Sequence, residues 1–299
     1  MSADLEAALD ARGERVRVEP DADWLAANAD DVRIIVTGGQ TGAPRELVEA
    51  LPNLGLIAIN GVGFDKVDIA HAAARGVTVT NTPGVLTDDV ADLAIGLVIG
   101  LLRDFPRADA HVRSGAWTNG DLPLARKVTG RRFGIVGLGR IGSAIADRLE
   151  AFGPVAYSGR TRKPVDLPFH LDAASLAAAS DVLIVAAAAS AETRHLIDAR
   201  VLEALGPGGV LVNVARGSVV DEDALVAAIA ERRIAGAALD VFADEPNVPP
   251  VLVDSDRTML TPHIASATVE TRAAMAALVL DNIDAFLAGR PLPTPIPPP

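Results

Sequence analysis

The sequence predicts an α/β fold built from two parallel-sheet domains, and three observations carry that expectation. Short apolar runs alternate along the chain with helical stretches, the pattern of buried parallel strands joined by crossover helices. Ala, Val, Leu and Ile supply most of the 49% hydrophobic content while aromatics stay at 3%, which suits strands covered on both faces by Ala-rich helices. At 299 residues the chain exceeds the usual reach of one hydrophobic core, so two domains are expected.

Taken in order, residues 3–11 read as an opening helix. Val32–Val36, Leu54–Ile59 and Val77–Thr80 read as the strands of a first sheet, with helices over Pro44–Ala50 and Val67–Arg75 between them. A long helix starts near Asp88 and continues past Leu102, and a looser stretch, HVRSGAWTNGDLPLARKVTG, follows it. Arg132–Val136, Pro154–Tyr157, Val182–Ala186, Val210–Val214, Gly236–Leu239 and Thr258–Leu260 read as six strands of a second, doubly wound sheet. A last amphipathic helix, roughly Val269–Leu287, is expected to return to the first domain. The tail PLPTPIPPP suits neither helix nor central strand and is expected to fray. Residues 1–87 and 269–299 are thus assigned to a flavodoxin-like domain and 88–268 to a Rossmann-like one.

Composition removes several function classes. The net charge is −12 and no basic block is long enough for a nucleic-acid footprint, so neither nucleic acid nor an anionic membrane is an expected partner. With no cysteine there is no disulfide framework and no thiol nucleophile. The longest apolar run, Val90–Leu102, contains Asp92 and falls short of the ~18 residues a bilayer requires. No signal-peptide pattern precedes it, and a cytoplasmic location is expected. No HxxH, HExxH or carboxylate cluster suggests a metal, and His71, His111, His170 and His195 read as ordinary helix or surface residues.

Gly137-Leu138-Gly139-Arg140-Ile141-Gly142 follows the strand RRFGIV and opens the helix SAIADRLEAF. In that context the first glycine permits a tight turn, the second admits a pyrophosphate, the third packs helix on strand, and helix-end N–H groups meet negative charge. Outside that context the same hexapeptide would be only a glycine-rich turn. The next strand ends at Ser158 and runs into Gly159-Arg160-Thr161-Arg162-Lys163. A site for NAD(H) usually places Asp or Glu about 20 residues after the fingerprint, on the ribose 2′-OH. No carboxylate stands there, and two arginines, a threonine and a lysine are offered to a 2′-phosphate. NADP(H) is therefore the expected cofactor and NAD(H) the second choice, a solvated basic turn being the plain alternative.

Three residues that follow predicted strands carry anion and proton chemistry. Arg216, in VNVARGSVVDEDAL, offers a planar fork that fits a carboxylate, although alone it would equally suit a surface ion pair. His263 follows Pro262 after the final strand, and Glu245 stands before Pro246 after the strand that precedes it. A free imidazole is mostly neutral at pH 7, so a catalytic acid needs a carboxylate on Nδ1–H to fix its tautomer and favour the charged form. Because ligands of open α/β sheets bind outside the carboxyl ends of the strands, the three can converge despite their separation in sequence. The loop Asn60-Gly61-Val62-Gly63-Phe64-Asp65 reads either as a small nest of N–H groups for an anion or as a tight turn. Trp117 stays open between a pocket wall and a subunit contact.

In this order, NGVGFDKVDI, TPGVLTDDVADLAIGL, GLGRIG, VNVARGSVVDEDAL, LDVFADEP and TPHIAS resemble the D-isomer-specific 2-hydroxyacid dehydrogenase family over nearly the whole chain. NTPGVLTDDVADLAIGL, HVRSGAW and the SGRTRK turn are most similar to its NADPH-preferring hydroxyphenylpyruvate, hydroxypyruvate and glyoxylate reductases. The resemblance implies two domains with the active-site cleft between them and a homodimer paired through its coenzyme domains. It implies that Arg216, Glu245 and His263 are catalytic and that Val62 and Gly63 offer N–H groups to a substrate carboxylate. It also implies that Leu86 and Thr87 approach substrate and nicotinamide, and that Asp240 holds the nicotinamide carboxamide. The expected reaction is reversible reduction of glyoxylate, hydroxypyruvate or an aryl pyruvate to the D-2-hydroxy acid. Formate dehydrogenases of the same superfamily are disfavoured by Glu245, where they carry Gln, and a nucleotide-sensing binding protein or corepressor is the rival of another class.

Two departures accompany the resemblance. Family members place a β-strand ahead of the helix that matches Ala3–Ala11, where this sequence opens, so a misassigned or shortened start is expected, and an upstream extension should add stability. Ala187-Ala188-Ala189-Ser190-Ala191 stands where relatives carry a Pro-rich segment along the cofactor.

Overall fold

The computed structural model describes residues 3–14 and 22–298. Its contacts form two compact units, Met1–Leu86 with Ala267–Pro299, and Thr87–Ser266. The first begins with α1 (Ala3–Asp10) and α2 (Ala22–Asn28), then runs β1 (Ile34–Gly38), α3 (Arg45–Ala50), β2 (Leu56–Asn60), α4 (Ile69–Ala74) and β3 (Thr78–Thr80). The three strands are parallel in the order β1-β2-β3, with Ile57 opposite both Ile35 and Val79. Alternation along β2 divides its side chains between two faces. Ile57 and Ile59 join Val48, Val67 and Val79 on one side, while Leu56 and Ala58 join Leu5, Leu9, Val279 and Ile283 on the other. Burial on both faces explains why this strand reads as an unbroken apolar run.

The second unit contains α5 (Thr87–Arg103), α6 (Phe105–Arg113), β4 (Phe133–Val136), α7 (Arg140–Leu149), β5 (Val155–Ser158), β6 (Phe169–His170) and α8 (Ala173–Ala178). It continues with β7 (Val182–Val185), α9 (Ala199–Leu205), β8 (Val210–Asn213), α10 (Glu222–Ala230), β9 (Gly236–Leu239), α11 (Pro250–Val253) and β10 (Thr258–Leu260). All seven strands are parallel in the order β10-β9-β8-β7-β4-β5-β6, so chain progression reverses between β4 and β7. Crevices for ligands form at such reversals, beyond the carboxyl ends of the strands. Side-chain carboxylates of Asp172, Asp198 and Asp221 accept N–H groups of Ser175, Val201 and Ala224 and so start α8, α9 and α10 sharply.

Three elements differ from expectation: α2, which precedes the first strand where no helix is expected, β6 and α6. The edge strand β6 has two residues, too few for any periodicity to show, and α6 occupies the approach to the stretch read as loose. None of the side chains of α6 is buried; its large apolar residues, Phe105 and Val112, are too few over nine residues to have marked it as a helix.

The chain returns to the first unit through α12 (Val269–Leu287), whose N-cap Thr268 accepts the Thr271 N–H at 3.2 Å. The expected frayed tail is overturned. Pro295 forms an antiparallel bridge with Thr80, the Ile296 N–H donates to the Val79 carbonyl at 2.8 Å, and Leu292 and Ile296 pack against the two cores. Leu292, Thr294 and Ile296 alternate with prolines, so their side chains and N–H groups do the bonding while the prolines lie on an edge, where a missing donor costs nothing. Among the described residues no helix is long and apolar enough to cross a membrane.

Candidate active site

Arg216, Glu245 and His263 follow β8, β9 and β10, which are neighbours in one parallel sheet, so their loops leave the same edge. The imidazole and carboxylate are in contact: His263 Nδ1 lies 2.9 Å from Glu245 Oε2 and 3.1 Å from Oε1. A carboxylate only accepts, so Nδ1 carries the hydrogen and Nε2 is the ring atom left for proton transfer. Glu245 is itself oriented by the Phe242 N–H, 3.1 Å from Oε1. Both side chains are about four-fifths buried, His263 being 22% and Glu245 23% exposed, which strengthens their attraction over that of a surface pair.

His263 is held in the left-handed region, at φ 52°, a conformation unfavourable for any residue with a Cβ. Asp240 accounts for this. It is wholly buried, and its Oδ1 accepts the Thr261 hydroxyl at 2.6 Å and the Ile264 N–H at 2.8 Å, while Oδ2 accepts the Ala265 N–H at 3.0 Å. The His263 N–H donates to the Asp240 carbonyl at 2.9 Å. The residue that the family resemblance places on the nicotinamide carboxamide thus also fixes the backbone on both sides of the imidazole.

The Arg216 loop is organised by Asn213, which sequence reasoning missed. Asn213 is 1% exposed; its Nδ2 donates to the Arg216 carbonyl and its Oδ1 accepts the Ala215 N–H, each at 3.0 Å. The guanidinium Nη1 donates to the Ala215 carbonyl at 2.9 Å. At Gly217 a Cβ would overlap the backbone of Phe242 and Ala243, so the Arg216 loop lies directly on the loop that orients Glu245. The Arg-Gly pair after the strand was readable; its reason, backbone approach between two loops, was not.

The Gly137–Gly142 turn joins β4 to α7. Gly137 has φ 95° and an added Cβ would sit 2.6 Å from Ala187 Cα, which also fixes the course of the Ala187–Ala191 segment beside it. At Gly142 a Cβ would overlap the Gly137 carbonyl, whereas at Gly139 nothing lies within 4 Å. Gly139 is the N-cap of α7 and provides no side-chain cap. Open space in front of uncapped helix N–H groups fits a dinucleotide pyrophosphate. Leu138 is buried, Arg140 is exposed, and Ile141 is partly buried on the helix.

Ser158 is buried at the end of β5, and its carbonyl accepts the Gly137 N–H at 2.9 Å, tying the basic turn to the glycine turn. Gly159 is partly covered and Arg160, Thr161 and Arg162 are exposed. Arg160 Nη1 lies 3.7 Å from Glu192 Oε2, a residue not anticipated from sequence, with both side chains largely in solvent. In the first unit, Val62 and Gly63 are partly exposed in the loop after β2, and Leu86 is buried at the end of the unit. Thr87 opens α5 in the second unit.

Residues 95–265 match the model of the D-isomer specific 2-hydroxyacid dehydrogenase NAD binding domain. A hydroxyphenylpyruvate reductase of Plectranthus scutellarioides is 48% identical, the match covering 99% of this chain and 96% of that one. The chain belongs to the D-isomer-specific 2-hydroxyacid dehydrogenase family. A glyoxylate/hydroxypyruvate reductase of Arabidopsis thaliana is 47% identical over 91% of this dehydrogenase and 88% of its own length. The structure of an NADPH-dependent glyoxylate/hydroxypyruvate reductase from Sinorhizobium meliloti, in complex with NADP and malonate, superposes with a TM-score of 0.94 at 46% identity, covering 99% and 94% of the two chains.

Proposed function

We propose that this dehydrogenase reduces a small 2-oxo acid to the D-2-hydroxy acid with NADPH, reversibly. The observation that carries the reading is the His263–Glu245 pair at 2.9 Å at the carboxyl end of the sheet. Arg216, with the amides of Val62 and Gly63, takes the substrate carboxylate, and its guanidinium also polarises the carbonyl to be reduced. When bound, the reduced nicotinamide supplies the hydride that reaches C2. His263 Nε2 delivers the proton to the carbonyl oxygen, and Glu245, which accepts from Nδ1, orients the ring and leaves Nε2 as the transferring atom. Asp240 holds the loop of the acid in place as well as the nicotinamide carboxamide.

Gly137–Gly142 and the N-terminus of α7 receive the pyrophosphate, and Ser158 to Arg162 receive the adenosine ribose with its 2′-phosphate. The lack of a carboxylate after β5 supports NADP(H) over NAD(H), as do the NADPH-dependent relatives. We place the protein in the cytoplasm as a homodimer joined through its coenzyme domains. Phe105, Val112, Trp117 and Leu124 support the dimer, being exposed apolar side chains within one stretch of that unit. Glyoxylate, hydroxypyruvate and phenylpyruvate, followed by NADPH absorbance, test the activity. NADPH binding without turnover on any of them would refute the reductase reading and leave a binding protein.

A further inference from the structure

The two peptide units that end in the Val62 and Gly63 N–H groups are both gripped from behind by the segment that follows β3. The Thr82 N–H donates to the Gly61 carbonyl at 2.9 Å, and Asn81 Nδ2 donates to the Val62 carbonyl at 2.8 Å. Both peptides are trans, so each carbonyl points opposite to the N–H of the next residue. Holding the Gly61 carbonyl sets the direction of the Val62 N–H, and holding the Val62 carbonyl sets that of Gly63.

Asn81 is in turn fixed by the C-terminal tail. The Thr294 hydroxyl donates to the Asn81 carbonyl at 2.7 Å. Thr294 is read twice by Asn282 of α12, a side chain 1% exposed: Asn282 Nδ2 donates to the Thr294 hydroxyl at 2.9 Å and Oδ1 accepts the Thr294 N–H at 3.2 Å. Asn282 Nδ2 also donates to the Leu278 carbonyl at 2.7 Å, within its own helix. A continuous chain of hydrogen bonds therefore runs from buried Asn282 through Thr294 and Asn81 to the loop after β2.

We infer that Asn81 is a positioning residue for the substrate carboxylate, and that the tail acts through Thr294 as the brace that holds Asn81 in place. The inference rests on assigning the Val62 and Gly63 amides to that carboxylate. Asn81 never touches substrate; its Nδ2 aims the two donors, and preorganised donors bind without reorganising on arrival of the ligand. Thr294 acts one step farther back. The tail is thereby part of the binding apparatus although it is remote from it in sequence.

Asn81→Ala, Thr294→Val and Thr294→Ser, made in the full chain, test this with two readouts. Hydrogen–deuterium exchange of the peptide spanning residues 61–65 reports how firmly the loop is held. The KM for glyoxylate, set against the KM for NADPH, reports what the loop does. Asn81→Ala and Thr294→Val should speed exchange and raise the glyoxylate KM about 3- to 10-fold, the worth of one net hydrogen bond, with the NADPH KM unchanged. Thr294→Ser keeps the hydroxyl and should behave as wild type in both. Exchange at the wild-type rate in Asn81→Ala and Thr294→Val would overturn the brace. Faster exchange with an unchanged glyoxylate KM would leave the brace standing and overturn the carboxylate assignment beneath it.

Discussion

Asp240→Asn is the substitution whose cost the structure sets most directly. The carboxylate is 0% exposed and surrounded by donors: the Thr261 hydroxyl and Ile264 N–H on one oxygen, the Ala265 N–H on the other. An amide has one accepting oxygen. Placed toward Thr261 and Ile264 it keeps two bonds, but its NH2 then faces the Ala265 N–H, and a buried donor loses its acceptor. One charge-assisted bond lost with one buried group left unsatisfied amounts to about 2 to 3 kcal/mol. For a unit of roughly 150 to 250 residues each kcal/mol shifts the melting temperature by about 2 to 4 °C, so a fall of roughly 4 to 12 °C is expected.

The melt should be recorded without NADPH, so that any contact of Asp240 with the nicotinamide does not enter. Thr261→Val is the graded control. It removes the 2.6 Å hydroxyl bond and keeps both N–H bonds, so it should cost about 1.5 kcal/mol, the lower end for a bond to a charged acceptor. Turnover should fall in Asp240→Asn and stay near wild type in Thr261→Val, because the bonds to Ile264 and Ala265, which only the first variant disturbs, are what hold His263 at φ 52°. An Asp240→Asn protein that melts within a degree of wild type would refute the account of the loop.

Four further outcomes are expected. His263→Ala should bind NADPH normally and fail to reduce any 2-oxo acid at any pH, and Glu245→Gln should lower turnover with NADPH binding kept, because the imidazole loses the carboxylate that accepts from Nδ1; turnover in His263→Ala would remove the imidazole from the mechanism. Gly139→Ala should fold and melt as wild type while losing NADPH affinity, since its Cβ enters open space, whereas Gly142→Ala should melt lower because its Cβ meets a backbone carbonyl; equal melting of the two in isothermal and thermal assays would contradict the turn geometry. Wild type should prefer NADPH to NADH by roughly 30-fold to 1000-fold, falling with salt, with Arg160→Ala losing most of that preference and Glu192→Ala tightening NADPH by removing the competing carboxylate; equal use of both cofactors at low salt would reduce the basic turn to a solvated loop. The Arg132 guanidinium, and less so its N–H, hold the Asp181 carboxyl below the usual carboxylate range, so this group stabilises the fold above the unfolded-state value near ~4 and ceases to as pH falls through its folded value; the melting difference between wild type and Asp181→Asn should therefore close in acid, and a difference that persists there would exclude this pair as its cause.

Most of the architecture was legible because a parallel strand buried on both faces must be a continuous apolar run. β9, β10 and α12 carry the bounds read from the sequence, and most other strands moved by one or two residues. What escaped lacked such a signature. α6 buries nothing, β6 is two residues long, and the tail bonds through alternate residues that composition alone marks as proline-rich. At the candidate site, chemical types and positions after strands could be read, since strand ends on one edge are the places where loops meet. Contacts could not. Nothing in the residue order says that Asp240 serves the loop of the next strand, that Asn213 grips both sides of Arg216, or that Gly217 must admit the backbone of Phe242.

Those hidden contacts share one physical form. Asn213 ends β8, Asp240 follows β9 and Asn81 follows β3, and each turns a side chain toward a functional loop: its own for Asn213, that of neighbouring β10 for Asp240, that of neighbouring β2 for Asn81. Parallel register brings neighbouring strand ends level, so a short polar side chain at one end reaches the first peptide groups beyond the next. Such groups are costly to bury unless fully bonded, and apart from the Thr261 hydroxyl on Asp240 the bonds named here go to backbone groups of those loops. On the proposed roles, these anchors act through peptide groups on the donors to the carboxylate and on the proton donor. Discrimination among glyoxylate, hydroxypyruvate and an aryl pyruvate must then reside in side chains outside this scaffold. Replacing those should change which acid is reduced without disturbing the melting temperature, whereas replacing an anchor should weaken all acids alike.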